Sequence, residues 1–177
     1  MVQLRHFQRA RFVVILVQTI HAAKEAIMKD RTPRRILVAI DFSPASRRAL
    51  RYATDLANQT GAMLDAVHVL TPMVPLAVGP EPVAAAPLLV DERHQVEVEL
   101  EEWCEPGREE GVDCKVHLRE GDPATEILAC MEELYADHLV LGAHGHSALQ
   151  DFLLGSVARD IQKRAKIPVT TLRELES

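Results

Sequence analysis

Ile36-Leu37-Val38-Ala39-Ile40 is an apolar run of strand length with no polar residue alternating through it, and such a strand must be covered on both faces. It ends at Asp41. Ser43-Pro44 then supplies an N-cap and a proline suited to a first helical turn, and Ala49, Leu50, Ala53, Leu56 and Ala57 recur at helical spacing up to Gly61. The same alternation runs on through the chain. Residues 64–70 read as a second strand, 112–118 as a third near a sheet edge, 138–141 as a fourth and 167–172 as a fifth. Between them, a Glu-rich helix over 88–103 is expected to stop at Pro106-Gly107, a second helix over 124–135 to follow the turn Gly121-Asp122-Pro123, and a third to occupy 155–166. Prolines and glycine from Pro72 to Pro87 predict a long loop.

Strands that alternate with helices need right-handed crossovers, so the expected class is α/β, a doubly wound five-stranded parallel sheet with helices on both faces. Ligands of such sheets bind beyond the carboxyl ends of the strands, where the strand order reverses. The loops after the first, second and fourth strands are therefore the places to look for function.

A length of 177 residues suits one domain, here 34–177, preceded by an extension, 1–33, that reads as amphipathic or disordered. Arg5, Arg9 and Arg11 precede an apolar run, 12–17, too short for a bilayer span and short for a signal peptide; Met28 is an alternative start of translation. Hydrophobic residues at 47% and charged residues at 26% exclude wholesale disorder. The net charge of -6 gives no general attraction to nucleic acid or to an anionic membrane, and 4% aromatic content leaves little for base-stacking platforms. Three cysteines, Cys104, Cys114 and Cys130, show no metal-ligand spacing and suit free thiols in a reducing cytoplasm.

The loop after the fourth strand reads Gly142-Ala143-His144-Gly145-His146-Ser147, and Gly155-Ser156 opens the last helix, giving the pattern G-x-x-G-x9-G-S. Glycines there let backbone N–H groups approach an anion closely, and a helix N-terminus adds unpaired donors and a favourable dipole. Polyphosphate binding is the chemistry this suits.

With ILVAIDFSPAS around Asp41, HVL at Val69, GDPATEIL at Gly121 and GAHGHSALQDFLLGSVARDI from Gly142, the chain resembles the universal stress protein family in its ATP-binding branch, from Arg34 to Arg173. The resemblance implies the adenine nucleotide alpha hydrolase-like fold, with the first strand beside the fourth. It implies an acid at Asp41 beside the nucleoside, and Ala39 and Val69 lining an adenine pocket. Gly142, His144 and Gly145 would wrap ribose and phosphates, and Gly155, Ser156 and Val157 would hold the phosphates. It further implies a cytoplasmic stress-response protein that binds ATP with Mg²⁺, signals through its nucleotide-bound state, and forms a homodimer through the last strand. Thr170-Thr171 interrupts the apolar run usual in that strand, and Pro106-Gly107 departs from the usual long helix.

Plainer readings stand beside these. Asp41 also fits a solvent-facing acid after a strand, and Ser156 an ordinary N-cap. His138, His144 and His146 lie close in sequence, but alternate loop residues seldom converge on a metal without further ligands. No strand-turn-helix G-x-S-x-G surrounds Ser147, which argues against a Ser-His hydrolase. His68 reads as a satisfied core histidine, and residues 97–102 as a solvated helix face. Two functional alternatives remain: a stress interaction protein that binds no nucleotide, and a slow ATPase or autophosphorylating enzyme. No Walker lysine or arginine finger can be assigned, so fast hydrolysis is not expected.

Overall fold

A computed structural model of the chain describes residues 32–71, 90–143 and 154–173. The chain divides at Thr32/Pro33, and the described elements belong to its second part, Pro33–Ser177. In chain order they are β1 (Arg35–Ala39), α1 (Pro44–Thr60), β2 (Met63–Leu70), α2 (Val90–Glu109), β3 (Cys114–Glu120), α3 (Pro123–Glu133), β4 (His138–Gly142), α4 (Ser156–Arg164) and β5 (Val169–Leu172). The strands form one parallel sheet in the order β3-β2-β1-β4-β5. The chain therefore winds outward from β1 in one direction and then, from β4, in the other.

Successive side chains of a strand point to opposite faces, and here both faces are buried. Ile36, Val38 and Val140 face α1 and α2, where Ala49, Ala53, Leu100 and Cys104 meet them. Leu37, Leu139 and Leu141 face α3 and α4, against Ile127, Met131, Ala158 and Ile161. Burying each such Leu, Ile or Val contributes about 1.5–3 kcal/mol of hydrophobic stabilisation. That double coverage is why β1 and β4 carry no alternating polar residues.

Helix boundaries follow the local chemistry in most places. Ser43 caps α1 by accepting the Ser46 N–H at 3.1 Å, Pro44 occupies the first turn, and Gly61 ends the helix at φ 70°. Asp122 caps α3 in the same way through the Thr125 N–H at 3.0 Å. The expected stop of the Glu-rich helix at Pro106-Gly107 is wrong. α2 runs through Pro106 to Glu109: the proline gives up its own helical hydrogen bond, and contacts of the residues beyond it outweigh that loss. Arg108 fastens that last turn, donating to Glu101 at 2.5 Å and, from Nε and a terminal nitrogen, to the Cys114 carbonyl at 2.9 and 2.7 Å. The Pro72–Pro87 loop, the proposed start of this helix at residue 88 and the extension before residue 32 lie outside the described residues. Among the described residues, no helix is long and apolar enough to cross a membrane.

The amino ends of the central strands are stitched together by charge. Asp65, 1% exposed on β2, accepts from Arg35 Nε at 2.7 Å and from His117 Nε2 at 2.8 Å. Arg35 also donates to the Leu134 carbonyl at 3.1 Å. Burial alone would push the Asp65 carboxyl up, but the hydrogen bonds from His117 and Arg35 outweigh it and hold the group below the ordinary carboxylate range. Alongside, the Asp137 carboxylate accepts the backbone N–H groups of Arg34 and Arg35, joining the start of β1 to the start of β4.

Candidate functional site

At the opposite, carboxyl ends of the strands the sheet opens. β1 pairs with β4 as far as Ala39 and Leu141, and with β2 as far as Ala39 and Val67. Beyond these pairs β1 leads into the turn before α1, β4 into the loop before α4, and a pocket of about 260 Å³ lies between them. This is the point at which strand order reverses, the position where sheets of this class take their ligands.

Seven of the residues singled out from sequence line this one pocket: Ala39, Asp41, Val69, Gly142, Gly155, Ser156 and Val157. They arrive from three strands and the start of α4, over 118 positions of sequence from Ala39 to Val157. The other two, His144 and Gly145, lie outside the described residues, as do His146 and Ser147. His138 does not join a ligand cluster; its Nε2 is bonded to Thr170 Oγ1 at 2.9 Å on β5.

Each side of the pocket has a physical cause. Asp41 is held at the rim by Ser43, whose N–H and hydroxyl donate to Asp41 Oδ1 at 3.1 and 2.5 Å. The same hydroxyl oxygen accepts from Ser46 N, so the acid is tied to the first turn of α1. Gly142 lets β4 pass directly over that turn. A Cβ at Gly142 would lie 3.0 Å from Ser46 N and 3.1 Å from Ala45 C, both parts of helix backbone that cannot give way easily. Gly155 N–H donates to the Ala143 carbonyl at 2.7 Å, which docks the start of α4 against the end of β4. As the N-cap of α4, Gly155 has no side chain to cap the first-turn N–H groups, and those donors together with the helix dipole favour an anion there.

The backbone beside Asp41 is strained. Phe42 adopts φ 62°, the left-handed region, at a cost of about 1–2 kcal/mol for such a residue. Ring contacts hold it: His68 at 4.7 Å between centroids, and Trp103 edge-on at 5.1 Å, with the Arg47 guanidinium 3.7 Å above the tryptophan ring. His68 is half-buried, and its Nδ1 lies 2.8 Å from the Ile40 carbonyl, which can only accept; Nδ1 therefore carries the proton. Burial lowers the His68 pKa, and the bond to Ile40 only partly opposes that.

Several pocket residues escaped the sequence reading, among them Ser46, Thr71, Pro123 and Ile127. The signal for the last two was present, since GDPATEIL is one of the segments that carry the resemblance. The signal for Asp65 is its place inside the apolar run of residues 64–70, where a buried acid requires partners on neighbouring strands.

Comparison with known proteins agrees with this fold. The model of the universal stress protein family matches residues 32–173. Universal stress protein MJ0531 of Methanocaldococcus jannaschii is 31% identical over 147 residues, covering 80% of this chain and 82% of its own. Universal stress protein YxiE of Bacillus subtilis is 33% identical over 145 residues, covering 78% and 98%. Among solved structures, protein MJ0577 superposes with a TM-score of 0.68 at 21% identity over 82% of this chain and 99% of that one, a likeness of fold. The universal stress protein of Archaeoglobus fulgidus, solved in complex with dAMP, gives a TM-score of 0.58 at 26% identity over 78% and 96%. A universal stress protein in complex with cAMP gives 0.61 at 23% identity over 80% and 98%.

Proposed function

The chain belongs to the universal stress protein family, and from that premise we propose that it is a cytoplasmic stress-response protein that binds ATP, with Mg²⁺ on the phosphates, and signals through its nucleotide-bound state. The observation that carries this reading is the convergence of Asp41, Val69, Gly142 and the start of α4 on one pocket at the reversal of strand order. Complexes of two relatives with dAMP and cAMP support an adenine nucleotide as the ligand class.

The fit can be argued group by group. A pocket of about 260 Å³ with apolar walls at Ala39, Val67 and Ile127 suits a nucleoside. Asp41 at the rim suits ribose hydroxyls, which donate to a carboxylate. The uncapped start of α4, opened by Gly155, suits phosphate oxygens. Mg²⁺ would accompany the triphosphate and shield its charge, as this small cation does when bound chiefly by phosphates. Binding takes precedence over turnover in this reading, because the described residues that line the pocket include no lysine or arginine to stabilise a transferring phosphoryl group. His144 and Gly145 complete the ligand set in this reading, and a second copy pairs through β5, which forms one edge of the sheet.

The test is a ligand measurement on freshly purified full-length protein. Denaturation should release ATP, ADP or AMP, and millimolar Mg-ATP should raise the melting temperature. Gly155→Glu, which sets a carboxylate where phosphate would lie, should weaken ATP binding strongly. Absence of any released nucleotide and of any thermal shift would leave the interaction protein as the better reading; multiple-turnover phosphate release lost in Asp41→Ala would favour the ATPase.

A further inference from the structure

In a parallel ladder, a residue that donates to one partner accepts from the residue two further along the same partner strand. Ile40 N–H donates to the Val67 carbonyl at 2.8 Å, so the regular continuation would be Val69 N–H to the Ile40 carbonyl. That bond does not form. The Ile40 carbonyl takes the His68 ring instead, at 2.8 Å from Nδ1. Leu70, by contrast, turns its carbonyl toward β3 and accepts from Gly121 N–H at 2.9 Å. Because backbone groups of a strand alternate in direction, those of Val69 point the other way, to the side that β1 has left and the pocket occupies.

We propose that His68 is a positioning residue: its ring takes up the Ile40 carbonyl and so leaves the N–H and C=O of Val69 as an open strand edge that reads the base of the bound nucleotide. The inference rests on the nucleotide reading above and adds the device that makes the site base-selective. Phe42, itself backed by Trp103, keeps the histidine in place from the side, and burial favours its neutral form, with Nδ1–H as the single ring donor. An adjacent amide donor and carbonyl acceptor match the N1 acceptor and N6 donor of adenine. Guanine presents the opposite order, O6 accepting and N1 donating, and is disfavoured when the ribose fixes the base in one orientation.

Two measurements test this on the full chain. In the wild type without nucleotide, the Val69 amide should exchange with solvent more than about tenfold faster than its ladder-bonded neighbour Val67, and in His68→Leu it should become protected as the ladder closes by one bond. A protected Val69 amide in the unliganded wild type overturns the proposal. For the ligand, the preference for Mg-ATP over Mg-GTP should fall about tenfold in His68→Leu, the equivalent of one lost hydrogen bond. His68→Asn, which sets an amide N–H where Nδ1 lies, should restore most of it and covers the case in which the leucine variant fails to fold. An unchanged preference in the folded leucine variant, or a wild type that binds ATP and GTP alike, overturns base reading while leaving nucleotide binding intact. A wild type that binds neither defeats the nucleotide reading, and the exchange measurement still decides what His68 does to the strand edge.

Discussion

The two ends of β1 and β2 lie within a few residues of one another along the chain yet are built on opposite plans. At the amino end the acids are partnered: Asp65 takes Arg35 and His117, and Asp137 takes the backbone N–H groups of Arg34 and Arg35. At the carboxyl end the strands part, Phe42 is strained, and α4 begins without a side-chain cap. The first plan gives stability, because a buried charge is tolerated only when it is fully partnered. The second leaves hydrogen-bonding capacity unused, which is what a ligand requires. A sheet can tolerate the open end because the closed end, and the two apolar layers between, hold the strands in register.

Substitutions can separate the two plans. The largest effect is expected from Asp65→Ala, which leaves Arg35 and His117 without their shared partner and should cost about 3–5 kcal/mol in denaturant unfolding. ATP affinity of the protein that remains folded should not change. Weakened binding in that folded fraction would show that the two ends are coupled. Gly142→Ala comes next, since its Cβ presses on the α1 backbone; overpacking of this kind costs about 1–3 kcal/mol, and ATP affinity should fall with it. Stability lost without any loss of affinity would place Gly142 on the structural side of the comparison. Ser43→Ala should cost about 1 kcal/mol as a lost N-cap, and it releases Asp41 from its tether, so calorimetric titration with Mg-ATP should show a modest further loss.

Acidification should distinguish the ends by the pH at which each gives way. His68 and His138 are held below the ordinary histidine pKa by burial, so the unfolded chain takes up protons first as pH falls through about 6.5, and stability declines from there. Asp65 is held below the ordinary carboxylate pKa, so its contribution is intact above about 4 and is lost only as pH falls toward its folded value. Denaturation midpoints across this range should therefore fall in two stages, with His68→Asn shrinking the upper and Asp65→Asn the lower. A single stage near 4 would mean that the histidines titrate normally.

The closed architecture was the more legible in sequence. Runs such as Ile36 to Ile40 announce strands covered on both faces, and caps at Ser43 and Asp122 mark helix starts from a few neighbouring residues. Pro106 misled because a local rule about helices was applied where packing of Arg108 onto β3 prevails. Most of the pocket was legible through glycine spacing and resemblance, but His68 was not. Its role depends on which carbonyl the ring meets after β1 and β2 separate, and that is a matter of register between strands twenty-eight positions apart. Asp65 could have been flagged as needing partners, though not which ones.

The strained turn at Phe42 has a practical consequence. The chain holds a single tryptophan, Trp103, and its ring abuts Phe42, one residue from the acid at the pocket rim. Any ligand that shifts this turn alters the indole's surroundings, so native emission spectra should report occupancy without a label, and Phe42→Leu should mute that signal.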